Sequence, residues 1–179
     1  MIVNDSDLIS RVLAYDDHYA FSQLVKKYQS SVRKFLQRML SGKREIADEL
    51  AQETFTQAFR KLHTFQGTAK FSSWLFAIAR NQFLQHIRKK KAEFDWEDEF
   101  SESAPQAADT KLDLEVAFRE LRPIEKAVIT LSYSQDLSHG DVASILEIPL
   151  GSVKTHLLRG KEKLKSTLSG YELKQGRPL

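Results

Sequence analysis

From Ser152 to Lys165 the chain reads SVKTHLLRGKEKLK, five Lys or Arg against a single acid. Cations at this density attract phosphate, and an arginine among them can donate a bidentate pair to guanine. Catalytic chemistry finds less support. Glu45, Asp48, Glu49 and Gln52 have the ExxxE-like spacing that builds a Mg²⁺ site in some all-helical nucleotide hydrolases. Such a site needs carboxylates from a facing helix, and no acid occurs between Asp17 and Glu45. The histidines His18, His63, His86, His139 and His156 lack metal-ligand spacing, there is no cysteine to supply a thiolate, and no P-loop-type glycine run appears. Neither a metal, a cofactor nor an enzymatic activity is expected.

The elements that would position the basic segment are helical. At 3.6 residues per turn Val153, Leu157, Gly160, Leu164 and Leu168 form one stripe, with Thr155, Leu158, Arg159 and Glu162 opposite and Lys154 at the flank. Just upstream, SHGDVASILEI reads as a short helix with Ser138 as N-cap, Asp141 three places on, and Val142, Ala143, Ile145 and Leu146 buried. Pro149 and Gly151 are expected to break the chain, and Ser152 to cap the second helix. A helix, a tight turn and a capped basic helix make a helix-turn-helix, whose second member enters the DNA major groove.

The rest of the chain is all-α in pattern. Asp17 is a cap for a helix bearing Phe21, Leu24, Val25, Tyr28, Val32, Phe35, Leu36 and Met39; Glu45 to Leu62 form a second; Phe71, Leu75, Ile78 and Ala79 begin a third that runs into Arg88–Lys91. Between Ala92 and Thr110 lie seven acids and no base, the composition of a linker. Two small helical domains are therefore expected, residues 1–91 and 111–170, joined by an acidic linker at 92–110 and followed by a tail at 171–179. No apolar run reaches membrane-spanning length, the first residues are acidic and unlike a signal, and the absence of cysteine requires no oxidising compartment. A cytoplasmic location without membrane insertion is expected.

Two stretches resemble a known family. DELAQETFTQAFRKLHTFQGTAKFSSWLFAIARNQFLQHIRKKK and LRPIEKAVITLSYSQDLSHGDVASILEIPLGSVKTHLLRGKEKL are similar to the two domains of extracytoplasmic-function sigma factors, the small initiation subunits of bacterial RNA polymerase. The order and the intervening linker agree too. The sequence departs from the family pattern at Gly140, where an acid is usual, at Glu147, often Gly, and at His156, often Arg.

The resemblance implies roles for particular residues. Asp48, Gln52, Glu53 and Phe55 match positions that dock on the clamp helices of core RNA polymerase. The loop HTFQGTAK matches one that captures a base flipped from the non-template strand of the downstream promoter element. Phe65, Gln66, Thr68 and Lys70 would supply planar and hydrogen-bonding partners there, and Gly67 the turn. Trp74, Arg80 and Asn81 match positions facing melted promoter DNA, and Lys89, Lys90 and Lys91 would add attraction for phosphate. Ser152, Lys154, Thr155, Leu158 and Arg159 match positions that address the upstream element, while Lys161 and Lys165 point toward its phosphates. The linker would thread the polymerase's positively lined channel. An anti-sigma factor is implied as a further partner. The alternative is a helix-turn-helix regulator that binds duplex DNA without polymerase; a metal-dependent nucleotide hydrolase is remote.

Overall fold

The structure is a computed structural model that describes residues 4–93, 110–133 and 137–175. Among these residues there are eight α-helices and no strand. In chain order they are α1 (Asp5–Tyr15), α2 (His18–Met39), α3 (Arg44–Lys61), α4 (Phe71–Glu93), α5 (Thr110–Arg119), α6 (Pro123–Ser132), α7 (His139–Leu146) and α8 (Leu150–Gln175); a 3₁₀ turn at Leu62–Thr64 follows α3.

Local chemistry sets the boundaries. Asp17 caps α2 by accepting a hydrogen bond from the Ala20 amide at 2.9 Å. Ser41 and Gly42, both at positive φ, end it, with the Gly42 amide donating to the Gln37 carbonyl at 2.8 Å. Ser138 and Asp141 form the expected capping box on α7: each backbone N–H is bound by the other's side chain, at 2.8 and 3.1 Å. Pro123 opens α6 at a first-turn position that needs no N–H donor.

The N-terminal half buries the stripes of α2, α3 and α4 against one another. Leu24, Val32, Phe35, Leu36, Leu75 and Phe76 are fully enclosed, and Phe35 meets Phe76 edge-on at 5.6 Å. Helix α1, which the sequence reading did not anticipate, packs along α2 through Leu8, Ile9 and Val12. It is pinned by Asp5, which pairs with Lys27 at 2.6 Å and accepts a hydrogen bond from the Tyr28 hydroxyl. Burial, then this bond, raises the Tyr28 pKa above the ordinary phenol value.

In the C-terminal half α8 lies on α5, α6 and α7. It approaches α6 so closely at Gly160 that a Cβ there would fall 2.5 Å from Ile129 Cδ1. The expected packing stripe holds: Val153, Leu157 and Gly160 are buried, Leu164 and Leu168 half-buried.

Three expectations about boundaries change. Helix α8 starts at Leu150, so Gly151 lies inside its first turn and Ser152 is its third residue rather than its cap; the Ser152 and Val153 amides donate to the Pro149 carbonyl. Proline fixes φ in a helix-compatible value and lets the helix begin directly after it. The same helix continues to Gln175, past the tail boundary set at 171, because nothing in SGYELKQ breaks it. Helix α4 continues through Glu93, two residues into the expected linker. Linker residues 94–109, with Phe94, Trp96 and Phe100 among their acids, lie outside the described residues.

The halves meet through α4 against α7 and α2 against α6. The Arg38 guanidinium lies 4.4 Å from the Phe118 ring centroid and donates to Thr130 Oγ1 at 3.3 Å. Lys126 is buried and donates to Ser41 Oγ at 3.0 Å. Its burial, then the nearby Arg119 cation, lowers its pKa.

Candidate nucleic-acid and protein interfaces

Helix α8 presents the face its sequence pattern requires. Lys154, Thr155, Leu158 and Arg159 are exposed, and Leu158 keeps 59% of its surface accessible although it is a large aliphatic residue. The Thr155 hydroxyl donates to the Gly151 carbonyl at 3.0 Å, tying the polar atom to the helix. Ser152 is half-buried at the start of the face. Lys165 is exposed, and Lys161 lies 5.3 Å from the centroid of the Tyr133 ring. Lys163, the fourth cation of the basic segment, turns inward to Glu125 at 2.9 Å. A rigid helix with this surface offers an arginine fork, an aliphatic contact for a thymine methyl and flanking ammonium groups for phosphate.

The loop before α4 is built as a platform. Phe65 packs against Phe71 and Trp74 with ring centroids 5.7 and 5.5 Å apart, and Phe71 in turn meets Tyr28 at 5.6 Å. This chain of rings ties the loop to the core, so Phe65 and Trp74 are half-buried, part core and part surface. Gln66, Gly67, Thr68 and Lys70 are exposed beyond it, and Gly67 takes φ +71°, the turn conformation expected of it. An amide, a hydroxyl and ring edges thus stand near open solvent, groups that can offer planar contacts and hydrogen bonds to an unstacked base.

Helix α4 carries the next residues toward its C-terminus. Asn81 is exposed, Arg80 half-buried. Lys89 is exposed and Lys90 half-buried, whereas the Lys91 side chain lies outside the described residues. The pKa of His86 is lowered by burial and then by Lys90, with Lys43 and Lys89 acting in the same direction against the opposing carboxylate of Glu49.

On α3, Asp48, Gln52 and Phe55 share one stripe at helical spacing. Gln52 is exposed. Asp48 pairs with Arg33 of α2 at 2.7 Å, and Glu53 accepts a hydrogen bond from Gln57 at 2.8 Å, so both carboxylates are held rather than simply solvated. Phe55 is half-buried against the core, with part of its surface accessible. This face and the α8 face lie on different halves of the chain. Among the described residues there is neither a group of His, Cys, Asp and Glu that could hold a metal ion nor a helix long and apolar enough to cross a membrane.

Some contacts of these residues were not read from the sequence. Glu147 pairs with Arg80 at 3.0 Å, and Asp141 lies 3.8 Å from Lys70 and accepts from Ser73 at 3.3 Å. Asp141 was legible only as a cap, and Glu147 only as a departure from a pattern; long-range partners carry no local periodic signal.

Comparison with known proteins shows the family. Residues 24–93 match the Sigma-70 region 2 model and residues 111–164 match the Sigma-70, region 4 model. The ECF RNA polymerase sigma factor SigW of Bacillus subtilis is 32% identical over 170 residues, which cover 85% of this chain and 90% of SigW. The RNA polymerase sigma-H factor of Pseudomonas aeruginosa is 29% identical over 92% of this chain and 93% of its own. Among solved structures, the sigma factor RpoE in its co-crystal structure with the anti-sigma factor NepR from Bartonella quintana superposes with a TM-score of 0.70 at 25% identity, over 83% of this chain and 96% of that one. With both region models in order on a helical chain, and relatives matched over nearly their full length, the protein belongs to the ECF sigma factors, which bind core RNA polymerase and direct it to promoters.

Proposed function

We propose that this sigma factor divides its task between the two halves by the residues described above, and performs no covalent chemistry of its own. The α3 stripe Asp48, Gln52, Glu53 and Phe55 docks on the polymerase clamp. The α8 face, with Lys154, Thr155, Leu158 and Arg159, holds the upstream element as duplex. The 65–70 loop, with Trp74, Arg80 and Asn81 of α4, traps the downstream strand once it is melted. Melting then follows from differential binding, because the loop engages a base only after that base has left the duplex.

The observation that carries this reading is the exposed Gln66–Thr68 turn seated on the half-buried Phe65–Trp74 ring pair. Duplex recognition alone has no use for it. The neighbour RpoE is complexed with an anti-sigma factor, and an antagonist of that kind is proposed here too, acting in the cytoplasm. Reconstituted transcription with core polymerase on a promoter library, followed by start-site mapping and permanganate footprinting, tests the assignment. Start sites should share a paired upstream and downstream motif with open thymines at the latter. Duplex binding without polymerase-dependent melting would overturn it.

A further inference from the structure

Three lysines form one edge of α8. At about 100° per residue Lys154, Lys161 and Lys165 lie within about 20° of a common line, and all three are exposed. The middle one has an aromatic ring beside it: Lys161 Nζ stands 5.3 Å from the centroid of Tyr133. That ring sits at the end of α6 and keeps 66% of its residue's surface open to solvent. One edge of α6 fixes where it stands. Glu125, Ile129 and Tyr133 recur every four residues and meet α8 in turn. Glu125 holds Lys163 at 2.9 Å, Ile129 lies so close to Gly160 that a Cβ there would collide, and Tyr133 reaches Lys161. The Tyr133 amide donates to the Ile129 carbonyl at 3.1 Å, so the backbone that carries the ring is tied into the helix.

A lysine that meets a phosphate gives up the rotamer freedom of its long stem. A ring face that already attracts the ammonium removes part of that cost before DNA arrives, and the N–H donors turned away from the ring stay free for a phosphate oxygen. We infer that Tyr133 is a positioning residue for the upstream duplex: its ring holds the Lys161 ammonium at the edge of α8 for a backbone phosphate, and its hydroxyl takes no part. The role rests on the assignment of Lys161 to phosphate. It raises affinity for every duplex sequence alike, because a phosphate carries no base information.

Holoenzyme reconstituted with full-length variants and titrated against a promoter duplex, and against the same duplex with its upstream element scrambled, tests the pair. Tyr133→Leu should weaken binding to both duplexes by one factor, about 2- to 5-fold, the worth of an exposed contact of this kind. The side chain is exposed, so helicity should stay at the wild-type value. Tyr133→Phe keeps the ring face and should bind as wild type does. Lys161→Ala alone should reduce the salt slope by about one, and in that background Tyr133→Leu should have no further effect. Equal losses from Tyr133→Leu with and without Lys161 overturn the positioning role. So does a loss in Tyr133→Phe as large as in Tyr133→Leu, because the hydroxyl then meets the duplex directly. A silent Tyr133→Leu beside a normal loss in Lys161→Ala removes the role of Tyr133 alone. Should Lys161→Ala leave affinity and salt slope unchanged, the phosphate assignment of Lys161 falls, and the role built on it falls too.

Discussion

Lys163 Nζ sits 2.9 Å from Oε2 of Glu125, whose side chain is wholly screened from solvent. Arg122 completes the site: its amide donates to Oε2 at 3.0 Å and its Nε to Oε1 at 3.1 Å. One cation of the basic segment is therefore spent on holding α8 to α6, and the outward face is less basic than its composition suggests. A buried carboxylate satisfied from both sides ties α8 firmly to α6.

A pH dependence follows. Burial alone would raise the Glu125 carboxyl, but hydrogen bonds from Lys163 and Arg122 outweigh it and lower the pKa from 4.5 to about 2. A group depressed in the folded state contributes stability above its unfolded pKa and loses it as pH falls through the folded one. Urea midpoints of the wild type should thus decline between about pH 5 and about pH 2, whereas Glu125→Gln should start lower by about 1–3 kcal/mol and show a flatter decline. Equal slopes in the two proteins would remove Glu125 as the titrating group.

Docking on polymerase is tested on α3. Asp48→Arg with Gln52→Ala should abolish assembly with core polymerase at normal helicity, because Gln52 is exposed and the Asp48–Arg33 pair is a surface one worth at most about 1 kcal/mol to the fold. Unchanged affinity in a pull-down or anisotropy titration would move the docking face elsewhere.

For the loop, Gln66→Ala with Thr68→Ala should change which base is accepted at the downstream element and leave upstream duplex binding by holoenzyme as it was. Both side chains are exposed, so stability should move by less than about 0.5 kcal/mol. Phe65→Ala is a poorer probe, since it also breaks contacts with Phe71 and Trp74. Identical permanganate patterns on all promoter variants would place the base pocket elsewhere.

Much of this was legible from local pattern. The α8 wheel separated Val153, Leu157 and Gly160 from Thr155, Leu158 and Arg159 correctly, and the Ser138–Asp141 box and the Asp17 cap were readable because a cap and its partner lie three residues apart. Helix α1 escaped because its apolar residues Leu8, Ile9 and Val12 make too short a stripe to stand out beside exposed Leu13 and Tyr15. The start of α8 was misplaced because glycine is permissive and not forbidding in a first turn. Contacts between halves, such as Arg80 with Glu147 or Lys126 with Ser41, join residues more than sixty positions apart, and no periodicity encodes them. Of the site itself, the sequence showed which groups exist; it did not show that Lys163 is turned inward or that Asp48 is already paired.

The inward turn of Lys163 sharpens the test of how α8 reads DNA. Arg159 and Lys165 are both exposed on the helix, yet they are assigned different duties: Arg159 a bidentate pair to a guanine edge, Lys165 a phosphate. Arg159→Ala should cost holoenzyme about 1–3 kcal/mol on the preferred upstream element and relax preference at one base pair. Lys165→Ala should weaken all upstream sequences alike and reduce the salt slope by about one. Lys163→Ala is the internal control: it should leave base preference and salt slope near wild type but lower the urea midpoint, since it leaves Glu125 without one of its partners. Binding of holoenzyme to upstream-element variants at several salt concentrations separates the three. Should Arg159→Ala weaken every variant by one factor, its side chain serves phosphate, and base reading falls to Leu158 and the flanking Lys154.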